Sequence, residues 1–321
     1  GGSELTVSLT NVPAGRVLFL LPELAGRLEM PISGRLTTTM GKEWRGSGVL
    51  TSTRGTFYGL PVTDVRVPLE WSGAPSRSRS EFRVRDATAT AASGQISARG
   101  EWRKFNDLPP KFSGDVQFRS VNMSQAVKNG GQVAGNLLLT GKVDFAAEQF
   151  RSMEDITAKL DAKLGESQPF SLPVLSAIAP FMGLGSAPTT RVREGEVKAV
   201  LANNVWRVER FSLMGSSVDL FADGTVSTSG RLSLAVTAHT RQSPDRRFLQ
   251  RLVPFQTLSA PSTTPFGPSA LANLTGIMGR YVIYMNVTGT TDSPIVRLET
   301  LRTLSEGAAR FFLFRFLAPL P

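Results

Sequence analysis

The chain has 321 residues, of which 41% are hydrophobic and 19% charged, and its 36 Lys and Arg against 26 Asp and Glu give a formal net charge of +10. This composition excludes wholesale disorder, because the chain carries enough apolar side chains to bury a core. The absence of cysteine excludes disulfide scaffolds and thiol catalysis, and the single histidine, His239, restricts any chemistry based on imidazole.

The dominant pattern along the chain is an alternation of apolar and polar residues, interrupted at short intervals by turns that contain glycine. Such two-residue periodicity is typical of β-strands with one apolar face. No regularly repeated helix separates the runs, so we predict about twelve to sixteen strands in antiparallel pairs. The predicted strands before residue 165 are Ile32–Met40, Trp44–Gly55, Val62–Trp71, Glu81–Ala89, Gln95–Phe105, Lys111–Arg119, Asn136–Phe145 and Asp155–Leu164.

Four segments depart from the alternation and predict helices. Met123–Asn129 is one or two turns long and is followed by two glycines, which commonly end a helix. Pro169–Leu184 carries apolar residues at helical spacing and is expected to cap one end of the sheet. The other two are Asp245–Leu252, which follows a Ser-Pro start signal, and Ser305–Leu317.

The clearest alternation lies between Val197 and Ala238, in short runs separated by turns such as Asp223-Gly224. Side chains alternate between the faces of a strand, so the apolar residues of each run lie on one face. That face is either the dry core of a sandwich or the lining of a groove, and periodicity does not choose between them. The residues expected on it are Leu201, Trp206, Val208, Leu213, Val218, Leu220, Leu232, Leu234 and Val236.

One more strand is predicted at Arg280–Gly289, and the chain then reaches a dense aromatic segment. The apolar run bracketed by Arg310 and Arg315 is too short to span a bilayer but is unfavourable to expose. We expect it to contact a membrane surface, to dock into the open end of an apolar groove, or to pack on its own domain. Its apolar residues are Phe311, Phe312, Leu313, Phe314, Phe316 and Leu317.

Few residues suggest catalysis. His239 ends a strand without a nucleophile and acid around it, so we expect a rim or surface histidine. Asp219 and Asp223 share the face opposite Val218 and Leu220, and a solvated strand face explains them more simply than a metal site does. We therefore expect no catalytic residue, no metal and no cofactor.

The positive charge is distributed over isolated residues at alternate strand positions, such as Arg83 and Arg85. Neither a recognition helix nor an aromatic RNA-stacking signature accompanies them, so nucleic acid is not an expected partner. Solvated strand faces account for most of these arginines, and a rim that faces anionic lipid head groups would account for the others.

The order of features between Ser167 and Thr240 is more specific. The motifs in order are Phe170-Ser-Leu-Pro-Val-Leu, Met182-Gly-Leu-Gly185, Arg193-Glu-Gly-Glu-Val-Lys, Phe211-Ser-Leu-Met-Gly, Leu220-Phe-Ala-Asp-Gly-Thr-Val and Gly230-Arg-Leu-Ser-Leu-Ala-Val. This order resembles the C-terminal region of the AsmA-like proteins, although the last motif has Ser233 and Ala235 where that family usually carries Asp. The resemblance extends from about Val116 to the end of the chain and only loosely to the first hundred residues.

The resemblance implies an elongated, curled antiparallel sheet, called a β-taco, whose apolar groove holds acyl chains. It also implies a periplasmic protein of the bacterial envelope, tethered to a membrane through a segment upstream of residue 1. The expected function is non-enzymatic binding or transport of phospholipid in outer-membrane biogenesis. The implied partners are phospholipid or another acyl lipid, the membrane surface and other envelope proteins.

Three parts of the chain are expected on this interpretation. Residues 1–115 form a β-repeat segment continuous with the sheet, residues 116–300 form the AsmA-like β region with a helix at about 169–184, and residues 301–321 form the apolar C-terminal segment. The alternative from another functional class is a structural or protein-interaction β-sandwich module of a secreted or envelope assembly. A curled sheet with a continuous apolar channel would favour the first interpretation, and two tightly packed sheets would favour the second.

Overall fold

A computed structural model of the chain describes residues 3–17, 28–57, 60–74, 79–122, 137–182, 184, 190–240, 282–299 and 306–317. These residues form one open, curled antiparallel sheet with a few short helices. The mainly β fold class and the curled sheet predicted from the alternation and the resemblance are therefore confirmed. The described strands do not form the two packed sheets of a sandwich.

The sheet has sixteen strands in the described part of the chain, at the upper end of the predicted range. From β3 onwards each strand pairs with the next strand along the chain, which makes an antiparallel meander. The strands are β1 (Ser3–Pro13), β2 (Leu28–Glu29), β3 (Pro31–Met40), β4 (Trp44–Phe57), β5 (Leu60–Ala74), β6 (Arg79–Ala91), β7 (Gly94–Phe105), β8 (Lys111–Asn122), β9 (Leu138–Ala147), β10 (Thr157–Leu164), β11 (Val192–Ala202), β12 (Val205–Gly215), β13 (Val218–Ser227), β14 (Leu232–Thr240), β15 (Val282–Gly289) and β16 (Pro294–Glu299).

The first strands of this sheet pair differently from the others. β1 pairs with β3, and the two-residue β2 pairs with β4.

The predicted strands between residues 32 and 164 correspond to β3–β10, and Arg280–Gly289 corresponds to β15. The prediction missed β1, although Leu5, Val7 and Leu9 alternate there. The expected boundary at residues 115 and 116 falls inside β8, whose pairing with β7 continues across it.

The helices are short. They are α1 (Ala14–Val17), α2 (Pro173–Ile178) and α3 (Glu306–Leu317), with 3-10 turns at Met153–Asp155, Pro169–Ser171 and Ala179–Met182. The predicted helix at Pro169–Leu184 is confirmed as a run of helical turns around α2, and the one at Ser305–Leu317 is confirmed as α3. The predicted helices Met123–Asn129 and Asp245–Leu252 lie outside the described residues.

Bulges bend several of the strands. Asn11, Asp64 and Ser120 have positive φ angles, and the pairing register shifts by one residue next to each of them, in β1, β5 and β8. An extra residue on one strand of a pair bends that strand and increases its twist. Asn and Asp tolerate positive φ better than most residues do. These bulges provide a local cause for the curl of the sheet.

Candidate functional site

One face of the sheet is apolar along almost its entire length. We define the inner face as the one on which α2 packs, and follow it from strand to strand through directly paired residues, which lie on the same face. A first row of paired residues crosses β1 and β3–β14: Val7, Leu36, Gly48, Leu69, Val84, Gly100, Gly114, Phe145, Ala158, Leu201, Trp206, Val226 and Leu232.

A second row shows that this face continues to the end of the sheet. It crosses β6–β16 through Ala87, Ala98, Val116, Val143, Leu160, Ala199, Val208, Gly224, Leu234, Val287 and Val296. Neither row contains a charged or polar side chain. The inner face is therefore a continuous apolar surface that passes from one part of the sheet to the other without interruption.

The inner face of β11–β16, which we call the roofed section, is covered by α2 and the helical turns next to it. Phe170, Leu175, Ile178 and Met182 of this segment are buried in one apolar cluster with residues from β10 to β15. Met182 has no exposed surface at all. The roofed section therefore has the packing of an ordinary protein core.

The inner face of β3–β10, which we call the trough, is covered only at one edge in the described part of the chain, where Ala14 of α1 packs with Ile32, Val62 and Ala91. The other described helices pack elsewhere, α2 on β16 and α3 on β13. Away from that edge, large apolar residues of the trough, such as Leu69, Phe82 and Val143, are half-buried rather than buried. The trough therefore presents apolar side chains that remain accessible to solvent.

Glycines on the inner face allow aromatic rings to lie across neighbouring strands. A Cβ atom at Gly73 would be 2.2 Å from the ring of Trp44, and one at Gly46 would be 2.2 Å from the ring of Trp71. A side chain larger than hydrogen would displace these rings. Cross-strand pairs of a large residue and a glycine therefore keep the concave surface from becoming crowded.

The outer face of β5–β9 carries charged residues that pair with one another. Arg83 Nη2 donates to Glu101 Oε1 at 2.8 Å and to Glu81 Oε1 at 3.0 Å. The hydrogen bond from Arg83 lowers the pKa of Glu101 to about 2. Arg85 pairs in the same way with Glu70 at 3.0 Å. The arginines that suggested a basic rim are, at these positions, neutralised by carboxylates on the outer face.

The nine residues predicted to line a groove share the inner face, and all of them lie in the roofed section. Trp206, Val208 and Leu234 are half-buried. The other six are buried: Leu201, Leu213, Val218, Leu220, Leu232 and Val236. At most of these positions the side chains form a core with α2. This outcome corresponds to the alternative of a dry core rather than to that of a groove lining. The part of the same face that is open lies in the earlier strands.

The aromatic C-terminal segment packs on the outer face of the sheet. Phe312 is buried and Phe311 is half-buried, and the ring centroid of Phe311 is 5.7 Å from that of Phe221 on β13. Phe221 lies on the face opposite Leu220. These two phenylalanines are therefore engaged in packing within the chain. The side chains of the remaining four residues lie outside what the structure describes: Leu313, Phe314, Phe316 and Leu317.

The expectation of a solvated Asp219 is wrong. Asp219 is only 2% exposed and accepts a hydrogen bond from the Gly215 N–H at 3.3 Å. His239 is paired with it in the register, its Nδ1 is 4.0 Å from Asp219 Oδ2, and its side chain is largely buried. The alternation placed Asp219 on the correct face, but it could not reveal that α3 packs on β13 and covers this face.

No group of three His, Asp or Glu side chains within the described ranges could hold a metal ion. Among the same residues, no helix has the length and apolar character that crossing a bilayer requires. Several acidic residues of the described strands have structural partners. Glu196, for example, accepts a hydrogen bond from Lys198, which lowers its pKa.

The tryptophans of the trough are site residues that the alternation did not predict. Trp44, Trp71 and Trp102 lie on the inner face of β4, β5 and β7. A signal for them is present, because each is two residues from a glycine in the same strand, as in Trp44-Arg-Gly46, Trp71-Ser-Gly73 and Gly100-Glu-Trp102. An aromatic residue and a glycine on one strand face predict rings that lie flat across neighbouring strands.

Comparison of the chain with models of protein families, with curated proteins and with solved structures gives no match. The likeness to the AsmA-like proteins therefore rests on the motifs of this sequence. The function has to be inferred from the chemistry of the trough and of its edges.

Proposed function

We propose that this protein binds acyl lipids in the trough, without catalysing a reaction. The observation that carries the proposal is an apolar surface that crosses β3–β10 and stays accessible to solvent. Monomeric proteins rarely expose a contiguous apolar surface of this kind unless it binds something. Transfer of an acyl chain from water onto it is worth about 0.8 kcal/mol for each CH₂ group that is buried.

The chemistry of the trough favours acyl chains over other apolar ligands. Its two rows of residues are long, continuous and free of charge, and they offer few polar groups to orient a compact ligand. Small-molecule sites are usually enclosed and contain several convergent polar groups. A flexible hydrocarbon chain needs neither feature.

The wider role follows from the resemblance. We propose that the protein handles phospholipid in the periplasm, in outer-membrane biogenesis, next to a membrane surface and other envelope proteins. The open, curled antiparallel sheet agrees with the β-taco that this family implies. A tether upstream of residue 1 belongs to the same proposal.

A paired set of variants tests lipid binding. Ala98 lies on the inner face of β7 and Ser97 on the outer face of the same strand. Ala98→Asp introduces a charge into the trough, whereas Ser97→Asp introduces the same charge on the already polar face. We expect lipids extracted from the purified protein, identified by mass spectrometry, to be lost from the first variant and kept by the second. Equal lipid content in both, or no lipid in the parent chain even after incubation with phosphatidylcholine, would contradict the proposal.

One observation favours the alternative, a protein-interaction role. In the described part of the chain β1 pairs only with β3, so its other side is a free strand edge. Leu5 and Val7 of β1 are 48% and 42% exposed. Long edges with exposed apolar residues accept strands from partner proteins. On this alternative, Thr6→Pro should abolish the binding of a partner protein that adds a strand to β1. The lipid content measured by mass spectrometry should stay unchanged.

A further inference from the structure

The two long edges of the sheet differ in chemistry. At one of them the odd-numbered strands from β3 to β15 end, and we call it the aromatic edge. Its inner face carries seven aromatic residues within three residues of a strand end: Trp44, Trp71, Phe82, Trp102, Phe112, Phe145 and Trp206. All four tryptophans of the chain are among them.

The rings of the aromatic edge form a row across adjacent strands. Trp71 is paired with Phe82, Phe82 with Trp102, and Trp102 with Phe112. The ring centroids of Phe82 and Trp102 are 5.4 Å apart in an edge-to-face arrangement. The ring of Trp44 lies across Gly73, and its centroid is 6.5 Å from the ring centroid of Phe82, which is two strands away.

The opposite edge, where the even-numbered strands from β4 to β14 end, holds a buried aliphatic cluster at β3–β6. Met30, Ile32, Val62 and Ala91 are buried there in one cluster, and α1 contributes the buried Ala14. We call it the aliphatic edge. The trough therefore changes across its width, from half-buried aromatic rings to buried aliphatic side chains.

The aromatic edge also holds unused hydrogen-bond donors. Within the described residues, none of the four indole N–H groups donates a hydrogen bond to the protein. Tryptophan combines an apolar ring with one polar N–H, which is why it is enriched where hydrocarbon meets head groups in membranes. A phospholipid is polar at one end and apolar at the other, like the trough, because its acceptor oxygens are confined to one end of its acyl chains.

Exposed apolar residues concentrate at the same edge. Of the nine large hydrophobic residues that are exposed in the described part of the chain, six lie at its turns and strand ends: Met40, Phe105, Leu108, Met153, Val205 and Ile295. Leu108, at 65%, is the most exposed of all. An apolar ligand that reaches the trough from this side meets apolar contacts first.

From these observations we propose that the aromatic edge is the head-group side of the trough. The ester and phosphate oxygens of a bound phospholipid accept hydrogen bonds from the indole N–H groups. The acyl chains run parallel to the strands, from the aromatic edge toward the aliphatic edge. β7 offers about 26 Å between Trp102 and Gly94, at roughly 3.3 Å per residue. One leaflet of a bilayer core is about 15 Å thick, so an acyl chain fits in this width. The inference rests on the proposed function of the trough.

Tryptophan fluorescence tests this orientation directly, since all four fluorophores lie on one edge. The full chain is loaded with phosphatidylcholine that carries a nitroxide either near the carboxyl end or near the methyl end of one acyl chain. Gel filtration removes free lipid, and a phosphate assay measures the lipid that stays bound. We expect the label near the carboxyl end to quench at least twofold more at equal occupancy. Equal quenching, or stronger quenching by the methyl-end label, would overturn the orientation, and the absence of bound lipid would instead overturn lipid binding.

A pair of ligands tests the role of the indole N–H groups. The double variant Trp71→Phe and Trp102→Phe keeps an aromatic ring at both positions and removes two indole N–H donors. We expect the affinity for phosphatidylcholine to fall about thirtyfold, roughly the worth of two net hydrogen bonds. The affinity for diphenylhexatriene, a hydrocarbon without acceptors, should stay within twofold. Equal losses for the two ligands, or no loss for either, would contradict the role of the donors.

Discussion

The trough and the roofed section are built from the same kind of strand, and two rows of paired residues run through both. Their inner faces nevertheless differ in exposure: Leu160 of the trough is half-buried, whereas Leu220 of the roofed section has no exposed surface. The difference comes from α2, which covers one part of the sheet and not the other. An alternating strand thus specifies an apolar face, and the elements packed on that face decide whether it becomes a core or a binding surface.

The largest expected effect is the cost of a charge in the roofed section. Leu220→Asp places an unpaired carboxylate in a closed core, and we expect it to lower the free energy of unfolding by more than about 4 kcal/mol or to prevent folding. Leu160→Asp in the trough keeps its carboxylate in contact with water and should cost about 1 kcal/mol. Urea unfolding followed by circular dichroism measures both. Equal losses would remove the distinction between the two regions.

A second comparison concerns the outer face of the roofed section. Phe312 of α3 is buried next to Phe221, so Phe312→Ala should lower the free energy of unfolding by about 3 kcal/mol. Phe105→Ala, at an exposed position outside that section, should change it by less than about 0.5 kcal/mol. Should Phe312→Ala leave the stability intact and weaken binding to anionic vesicles, α3 would be a membrane-contacting element instead.

The contribution of the cover itself can be measured at Met182. Met182→Ala creates a cavity between α2 and the sheet and should cost about 2 to 3 kcal/mol. Met40→Ala is the same chemical change at an exposed residue and should cost less than about 1 kcal/mol. Hydrogen exchange adds a second readout, because a packed α2 should be protected as strongly as β13. An unprotected α2 over protected strands would mean that the roofed section opens.

The smallest expected effect concerns the outer face behind the trough. The pKa of Glu101 is about 2 in the folded chain, below its ordinary value of 4.5, because Arg83 donates a hydrogen bond to it. A carboxyl group with a depressed pKa stabilises the fold above the ordinary pKa, and this contribution is lost as the pH falls from about 5 to 2. The pair is largely solvated, so the contribution is small.

Glu101→Gln should therefore reduce the loss of stability between about pH 5 and pH 2 and lower the stability at neutral pH. Glu43→Gln removes a carboxylate from an exposed ion pair with Arg45 and serves as the control, with little effect expected at either pH. Acid unfolding curves of the two variants provide the measurement. Identical curves for Glu101→Gln and the parent chain would show that the ion pair does not contribute.

The strands could be predicted from the sequence because their cause is local. Alternation fixes which side chains share a face, and glycines and asparagines mark the turns, so β3–β10 and β15 were located within a few residues. The segment around α2 was predicted for the same reason, from apolar residues at helical spacing.

The exposure of each face could not be predicted, because it depends on contacts between distant parts of the chain. Leu220 and Leu160 carry the same pattern in the sequence, and only the position of α2 separates them. Phe221, on the same face as Asp219, is buried because α3, about ninety residues later, packs on β13. The shared position of the four tryptophans at the aromatic edge could not be predicted, because it depends on the register of four separate strands.

The order of strands in the sheet follows the order of strands in the chain. Formation of such a sheet mostly closes short hairpin loops, which keeps the entropic barrier of each step low. Folding can then start at one hairpin and spread in both directions, as it does in repeat proteins. By the same logic, gain or loss of one hairpin in evolution would change the length of the sheet by two strand spacings, about 10 Å, and would leave all other pairings intact.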